Sequence, residues 1–250
     1  MQKLPACWID GNGVVLKLTT RIDWKIEGLE GLSEEKWYFL VANHQSWADI
    51  LVLQKVFNHK IPMLKFFLKK QLIWLPFAGQ ACWLLDFPFM DRPSKNFLKK
   101  HPEAKGKDIE TTRKACEKFK QSPGTIVNFL EGTRFSLTKQ QRQQSPYQYL
   151  LKPKSSGFAT ALSALEGYIQ TLIDVTIVYQ GSSAKAWDFF CGRVKTVVVK
   201  VHVLPLPSKF LSDFSEDRNR RVEFQQWING VWEEKDNFIK NFKVSTPANL

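Results

Sequence analysis

Short apolar runs alternate along the chain with segments whose apolar residues recur at helical spacing. The runs are of strand length and rich in aromatic or β-branched side chains; they cover residues 37–42, 125–130, 173–179 and 194–204. The helical spacing predicts helices over residues 109–119, 158–166 and 224–242. Strands separated by helices predict an α/β fold with a mixed, largely parallel central sheet flanked by helices.

The long C-terminal helix, residues 224–242, carries its apolar residues in one stripe. This stripe predicts packing against the sheet rather than against lipid. Residues 101–107 are polar and basic, and we expect an exposed loop there within one domain. The whole chain, residues 1–250, is therefore interpreted as a single domain.

The charge of the chain narrows the choice of partners. Thirty-six Lys and Arg against 24 Asp and Glu give a formal net charge of +12, so anionic partners are expected. Lipid, nucleic acid and phosphorylated small molecules all fit this charge. The four cysteines form no Cys-x-x-Cys pair, which argues against a zinc knuckle or a disulfide framework. No apolar run reaches the roughly 18 residues of a spanning helix, so the chain as given carries no anchor of its own.

The first candidate site directly follows the strand predicted over residues 37–42, at the strand end where sites of parallel sheets gather. His44 and Asp49 can form a general base and its supporting carboxylate, because a carboxylate fixes the tautomer of a histidine. Residues five apart on a continuous helix point about 140° apart. His44 must therefore lie in the strand-to-helix turn, with Ser46 as a plausible cap. Taken alone, the pair is better explained as a loop histidine beside a helix-opening aspartate.

A second candidate site follows the strand predicted over residues 125–130 in the same way. Glu131 is followed by Gly132, which lets the backbone approach a ligand, and by the hydroxyl of Thr133. Arg134 then offers a planar guanidinium that suits a phosphate. In isolation, a tight turn with a surface ion pair is the commoner meaning of these four residues.

The two motifs together resemble the lysophosphatidic acid acyltransferase family. The first is Asn-His-x-x-x-x-Asp after one strand, and the second is Glu-Gly-Thr-Arg after a strand some eighty residues later. A third family block is matched by residues 89–92, Phe-Met-Asp-Arg, and a fourth by residues 173–179. Residues 151–158 are most similar to the branch that contains the bacterial inner-membrane acyltransferase YihG. The resemblance covers residues 24–242, and it departs from the family at Leu130 and Asp174, where proline is usual, and in lacking hydrophobic anchor helices at its start.

The resemblance implies a glycerol-phosphate-acyltransferase-like fold and an enzyme of phospholipid synthesis or remodelling. The acceptor would be 1-acyl-glycerol-3-phosphate or a related lysophospholipid, and the donor acyl-CoA or acyl-carrier-protein. His44 would be the general base, and Asp49 would fix its tautomer. The phosphate and glycerol of the acceptor would be bound by Arg92, Glu131, Gly132, Thr133 and Arg134. No metal, no cofactor and no covalent acyl-enzyme are implied.

Since the anchor helices of this branch are missing here, we expect either a peripheral position on the cytoplasmic face of the inner membrane or a chain whose start has been shortened. Between Asp49 and Asp86 there are five lysines and no acid, and aromatic residues are interleaved with the lysines. Such a stretch suits an anionic bilayer interface. The alternative is that the aromatic residues belong to the core and the lysines are merely solvated.

Two other functions stay open. A hydrolase could use the same His-Asp pair, with water in place of the acceptor hydroxyl. A basic non-catalytic protein that binds lipid or single-stranded nucleic acid would share the charge and the aromatic residues. It gives no reason for a His-Asp pair at one strand end and an arginine-bearing turn at another, so no nucleic-acid partner is expected. The other histidines, His59, His101 and His202, lack acidic partners at useful spacing and are interpreted as surface or strand positions.

Overall fold

A computed structural model describes residues 3–66, 68–69, 73–74, 80, 87, 89–90, 116–165, 167–180, 186–214 and 217–245. The strands are β1 (Asp23–Glu27), β2 (Tyr38–Ala42), β3 (Leu64–Phe66), β4 (Leu68–Lys69), β5 (Phe89–Met90), β6 (Thr125–Asn128), β7 (Thr171–Gln180) and β8 (Thr196–Pro205). The α-helices are α1 (Lys3–Thr19), α2 (Ala48–Phe57), α3 (Leu137–Gln143), α4 (Ser156–Ala164), α5 (Ala186–Phe190) and α6 (Arg218–Ser245).

The main sheet contains six strands within the described ranges, in the order β1-β8-β7-β2-β6-β3. Each neighbouring pair is parallel except β7 with β8, which is antiparallel. Strand β2 lies between β6 and β7, and all of its residues are buried. The carboxyl ends of β2, β6 and β7 therefore meet at one edge of the sheet. The predicted α/β class with a largely parallel sheet is confirmed.

Alternate residues of the strands divide the core into two layers, because successive side chains of a strand point to opposite faces. On one face, Phe39 and Val41 of β2 belong to the same cluster as the buried residues of α4 and α6. On the other face, Leu40 and Ala42 cluster with the buried residues of α2. The apolar stripe of α6 thus packs on the sheet, as its spacing predicted.

The predicted elements are confirmed where the structure describes them, with shifts of a few residues at their ends. The strand predicted over residues 125–130 is shorter, since β6 ends at Asn128 and the chain then turns. The helix predicted over 158–166 is α4, and the C-terminal helix is longer than predicted. The loop predicted over 101–107 and most of the helix predicted over 109–119 lie outside the described residues. No helix in the described part of the chain is both long and apolar enough to span a bilayer.

A buried ion pair connects α6 to β7. Lys235 occupies a position in the apolar stripe of α6 and is only 2% exposed. Its Nζ lies 2.7 Å from Oδ1 of Asp174 and donates to the carbonyl of Val175 (2.6 Å) and the hydroxyl of Thr176 (3.1 Å). Asp174 stands where the resembled family usually has proline. Its side chain is buried in the core and forms an ion pair with Lys235 of α6.

Candidate active site

The turn after β2 is built around the carboxylate of Asp49, the second residue of α2, which is fully buried. Its Oδ2 accepts the backbone N–H groups of Gln45 (2.7 Å) and Ser46 (2.9 Å) and lies 2.8 Å from Nδ1 of His44. Ser46 Oγ accepts the N–H of Ala48, the first residue of α2, at 3.2 Å, but the N-cap residue of the helix is Trp47 and not Ser46 as expected. The turn therefore places His44 against Asp49, as their five-residue spacing requires.

The second oxygen of Asp49 is occupied by Tyr179 of β7. The buried Tyr179 donates its hydroxyl to Oδ1 at 2.6 Å. Burial, the negative charge of Asp49 and this hydrogen bond together raise the pKa of Tyr179 well above its ordinary value. The phenol therefore stays a donor, and the carboxylate is fixed from both sides. Sequence reasoning missed Tyr179 because a tyrosine near the end of an apolar strand looks like an ordinary core residue.

In the imidazole of His44, Nδ1 is hydrogen-bonded to Asp49, whereas Nε2 is available to a substrate. Because Asp49 can only accept, Nδ1 carries the proton and Nε2 is the acceptor. Nε2 has no hydrogen-bond partner within the described part of the chain, and the side chain is 17% exposed. The ring stacks on Phe129, with centroids 4.1 Å apart and planes at 18°. This is the geometry of a general base with a lone pair open to a substrate.

The backbone of His44 is bound by the loop that follows β6. Oε1 of Glu131 accepts the N–H of His44 at 2.9 Å, and Phe135 donates its N–H to the carbonyl of His44 at 2.7 Å. In the parallel pairing of β2 with β6, Val41 is opposite Asn128. His44 and Glu131 each follow these paired residues by three positions, so the register of the sheet brings the two candidate motifs together.

Glu131 lies on the interior side of the His44 backbone. It is fully buried, and its Oε2 accepts the N–H of Leu151 at 3.0 Å. Burial raises the pKa of Glu131 to about 7, against the lowering effects of the His44 and Leu151 N–H groups and of the Lys235 charge. We call the two hydrogen bonds from His44 and Leu151 to this carboxyl group the Glu131 bridge.

Gly132, Thr133 and Arg134 form the outer part of the same loop. Gly132 has a φ of +68°, a conformation that favours glycine. Lys139 of α3 donates to Thr133 Oγ1 at 2.8 Å and to the carbonyl of Arg134 at 2.9 Å. Arg134 is exposed, and its guanidinium carbon lies 5.6 Å from the centre of the Trp47 ring, in the turn that carries His44.

Arg92, the remaining member of the predicted set, lies outside the described residues.

Asn43 extends the connection between β2 and β7 beyond the end of β2. Its buried side-chain amide donates to the carbonyl of Ile177 at 2.9 Å and accepts the N–H of Ile177 at 2.8 Å. Gln45 donates to the same carbonyl at 2.9 Å. The side chains of Asn43 and Gln45, on either side of His44, thus replace the backbone hydrogen bonds between strands and connect the turn to β7.

His59 lies on the surface after α2 and His202 lies in strand β8, as interpreted from the sequence, and each has an aspartate nearby that is distant in the sequence. Nε2 of His59 lies 3.1 Å from Oδ2 of Asp10, and Nδ1 of His202 lies 4.0 Å from Oδ2 of Asp174. Both aspartates are distant in sequence; Asp174 is brought opposite His202 by the antiparallel pairing of β7 with β8. His101 lies outside the described residues.

Comparison with known proteins identifies relatives of the chain. The family model described as Acyltransferase matches residues 23–180. A 1-acyl-sn-glycerol-3-phosphate acyltransferase of Saccharomyces cerevisiae is 36% identical over 120 residues, which are 48% of this chain and 35% of that protein. A 2-acyl-1-lysophosphatidylinositol acyltransferase of the same yeast is 23% identical over 81% of this chain and 60% of that protein. The 1-acyl-sn-glycerol-3-phosphate acyltransferase gamma of Mus musculus is 24% identical over 72% of this chain and 46% of that protein. The chain thus spans less than two thirds of the length of each.

The fold is similar to a solved structure, the 1-acyl-sn-glycerophosphate acyltransferase PlsC of Thermotoga maritima. The TM-score is 0.55 at 18% sequence identity, and the match covers 92% of this chain and 79% of that chain. This similarity confirms the predicted kind of fold. The branch of the family to which the chain is most similar, and its limits as a single domain, stay predictions.

We expect the pH dependence of stability to reveal the carboxyl group of Glu131. Its pKa of about 7 in the folded protein exceeds the ordinary 4.5, so its contribution to stability is present below about pH 4.5 and is lost as the pH rises to about 7. The difference corresponds to about 3 kcal/mol. Glu131→Gln does not titrate. Between about pH 4.5 and about pH 7, its free energy of unfolding in urea should therefore rise by about 3 kcal/mol relative to the parent. A difference that stays constant with pH would contradict the raised pKa.

Proposed function

The chain belongs to the acyltransferase family, and from this premise we propose that it transfers a fatty acyl group from acyl-CoA or acyl-carrier-protein to a lysophospholipid. The acceptor would be the free hydroxyl of 1-acyl-glycerol-3-phosphate or a related lipid. The observation that carries the proposal is the imidazole of His44, oriented by Asp49 and open at Nε2. Relatives named as 1-acyl-sn-glycerol-3-phosphate acyltransferases support the class of acceptor.

In the proposed reaction, His44 is the general base and then the general acid. Its Nε2 takes the proton of the acceptor hydroxyl as that oxygen attacks the carbonyl carbon of the thioester. A C–O bond forms, the C–S bond breaks, and the departing sulfur receives the proton from the imidazolium, leaving an ester and a thiol. Asp49 stabilises the imidazolium, and Tyr179 keeps Asp49 in place. General-base assistance contributes about 10²–10⁴-fold to the rate.

The reaction needs no covalent acyl-enzyme, metal or cofactor. Ser46, the hydroxyl residue nearest to His44 in the sequence, is buried, and its Oγ accepts the N–H of Ala48. Its position in the turn supports a structural role. Direct attack by the acceptor, with His44 moving the proton, accounts for the whole transfer.

We assign the phosphate of the acceptor to the outer part of the loop after β6. Arg134 is exposed there, and Lys139 adds a second cation beside Thr133. Gly132 is exposed beside these groups. Glu131 has a different proposed role from the one that the resemblance implied: it positions His44 instead of binding the acceptor. A contribution of Arg92 to acceptor binding stays a prediction.

The fate of the thioester distinguishes transfer from the alternative functions. The assay incubates the protein with acyl-CoA or acyl-carrier-protein and a panel of lysophospholipids that differ in head group. The proposal expects thiol release and a diacyl product only when a lysophospholipid is present. Thiol release without an acceptor would make the protein a hydrolase. No turnover with any donor and acceptor would overturn the proposal and favour a non-catalytic lipid-binding or nucleic-acid-binding role.

Removing the base should abolish most of this turnover. His44→Ala is expected to lower kcat by about 10²-fold or more. Asp49→Asn should also lose most activity, because a carboxamide cannot accept all the present hydrogen bonds and permits the wrong tautomer of His44. His59→Ala, which removes an exposed histidine paired with Asp10, is the matched control and should turn over like the parent. A folded His44→Ala variant with normal turnover would exclude His44 as the base.

Arg134 should act on the acceptor alone. Arg134→Lys keeps the charge but loses the planar fork that binds two phosphate oxygens. We expect a raised KM for the lysophospholipid with the KM for the acyl donor little changed, measured by initial rates in both substrates. The exposed Arg142 of α3 provides a control, Arg142→Lys, that should change neither KM. If only the donor KM rose in Arg134→Lys, the residue would belong to the donor site.

We further propose that the protein acts peripherally at an anionic membrane surface, the cytoplasmic face of the inner membrane. The net charge of +12 and the exposed indoles of Trp47 (61%) and Trp74 (83%) support this. Within the basic stretch after Asp49, Phe57 and Phe66 are buried in the core, so for these two aromatic residues the core interpretation is the right one. The proposal therefore depends on the exposed indoles and the lysines.

Binding to anionic vesicles should be strong at low salt and should largely disappear at high salt. The Debye length falls from about 10 Å at 0.1 M to about 3 Å at 1 M, which screens attraction between the lysines and the lipid. Sedimentation with vesicles checks this, and neutral vesicles provide the control. Trp74→Ala and the triple variant Lys65→Gln, Lys69→Gln, Lys70→Gln should each weaken binding without unfolding the protein. Equal binding of these variants and the parent would place the membrane contact elsewhere.

A further inference from the structure

The Glu131 bridge depends on the ionisation of Glu131. Its two oxygens accept the N–H groups of His44 (2.9 Å) and Leu151 (3.0 Å). An ionised carboxylate accepts at both oxygens, whereas a protonated carboxyl group turns one oxygen into an O–H donor. That oxygen is then a weaker acceptor, and its proton must point away from the N–H group that it faces. The bridge to the His44 backbone is therefore strongest while Glu131 is charged.

The groups around Glu131 have opposing effects on its charge. Burial raises its pKa, and Asp49 on α2 adds to the rise, while the N–H groups of His44 and Leu151 and the charge of Lys235 on α6 lower it. Arg134 and Lys154 are exposed to solvent, which screens their charges. Lys235 is thus the buried cation that opposes the burial of Glu131 among the described residues.

Lys235 has a fixed position next to the carboxyl end of β2. Its Nζ donates to the carbonyl of Val175 and to the hydroxyl of Thr176 on the neighbouring strand β7. In the pairing of β2 with β7, Val175 is opposite Ala42, the last residue of β2. Glu131 reaches this same strand end when it accepts the N–H of His44, two residues further on.

Asp174 favours the charged form of Lys235. Burial lowers the pKa of Lys235, and the ion pair with Asp174 (2.7 Å) and then the charge of Glu131 oppose this lowering without cancelling it. Asp174, Lys235 and Glu131 therefore form a buried series of alternating charges that runs from β7 through α6 to the loop after β6. Lys235 lies outside residues 23–180, the part of the chain that matches the family model.

We propose that Lys235 is a positioning residue for His44: its charge favours the ionised form of Glu131, so that Glu131 binds the backbone N–H groups of His44 and Leu151 together. This inference rests on the proposed function of His44 as the general base. Lys235 acts through Glu131 and not on the reacting atoms.

The variants must separate this effect from the stability of the ion pair. Lys235→Met alone leaves Asp174 buried without its partner and is expected to destabilise the fold. The test therefore uses the double variant Asp174→Asn, Lys235→Met, which removes both charges and keeps side chains of similar shape. Lys240→Met, at an exposed position of the same helix, is the matched control.

The direct measurement is an NMR pH titration of the Leu151 amide, which donates to Glu131 outside the His44 turn. In the parent and in Lys240→Met, the amide shift should titrate with a midpoint of about pH 7, the pKa of Glu131. In the double variant the midpoint should move to higher pH. In Glu131→Gln the titration should be absent. This readout follows Glu131 whether or not the protein turns over substrate.

The second measurement is kcat as a function of pH. In the double variant, the acid side of the pH–kcat profile should move to higher pH. If its midpoint moves up by one pH unit, kcat at a pH below the midpoint falls about tenfold. Activity should recover at alkaline pH. In the Glu131→Gln background, the double substitution should leave the acid side of the profile where it is, because the group that responds to Lys235 is absent.

A folded double variant whose Leu151 titration and rate profile match the parent would overturn the proposal, since Lys235 would then be only the partner of Asp174. A parent protein whose Leu151 amide does not titrate would overturn it as well. Failure of acyl transfer with every acceptor would instead overturn the proposed function, while the amide titration would still decide whether Lys235 controls Glu131.

Discussion

The carboxylate of Asp49 is the interaction on which the geometry of the site depends. A buried carboxylate is costly unless hydrogen bonds replace the water that it loses. Here the replacements come from the turn itself, through Gln45 N–H, Ser46 N–H and His44 Nδ1, and from a distant strand through Tyr179. The hydrogen bonds to this one carboxylate therefore fix the turn after β2, lie at the start of α2 and connect both to β7. The orientation of the imidazole is a consequence of that requirement.

The site also contains a group that lowers stability. Ionised Glu131 is disfavoured by its burial, and the protein gives up part of its stability near neutral pH to keep a charge there. In return, the carboxylate of Glu131 accepts the backbone N–H of His44 with one oxygen and that of Leu151 with the other, while Asp49 holds the imidazole ring of His44. A neutral side chain would be easier to bury, but it would accept the two N–H groups less strongly than a carboxylate does.

Helix α6 completes the site from outside the part of the chain that matches the family model. Besides Lys235, it contributes Asp236, which accepts the N–H groups of Gln148 (2.8 Å) and Tyr149 (2.7 Å). These contacts attach to α6 the segment that carries Leu151, and Leu151 in turn donates to Glu131. The core-facing stripe of α6 thus combines packing with two charged positions: Asp236 binds the segment before Leu151, and Lys235 is the proposed electrostatic partner of Glu131.

The local pattern of the sequence was sufficient for the class of fold, for strands β2, β6, β7 and β8 and for helices α4 and α6, because strand and helix periods are local properties. It also placed the two motifs at strand ends, but their chemical meaning came from the resemblance to the acyltransferase family. The spacing of His44 and Asp49 set one condition for their pairing, that His44 lies in the turn before the helix, and the structure meets it. The tertiary structure alone decided which distant groups complete them. Tyr179 and Lys235 look like ordinary members of a strand and of a helical stripe, and only the sheet register and the packing of α6 bring them to the site. The same is true of Glu131: its position in the sequence predicted an exposed ligand-binding turn, but the end of β6 at Asn128 turns its side chain inward, where burial and backbone donors determine what it can do.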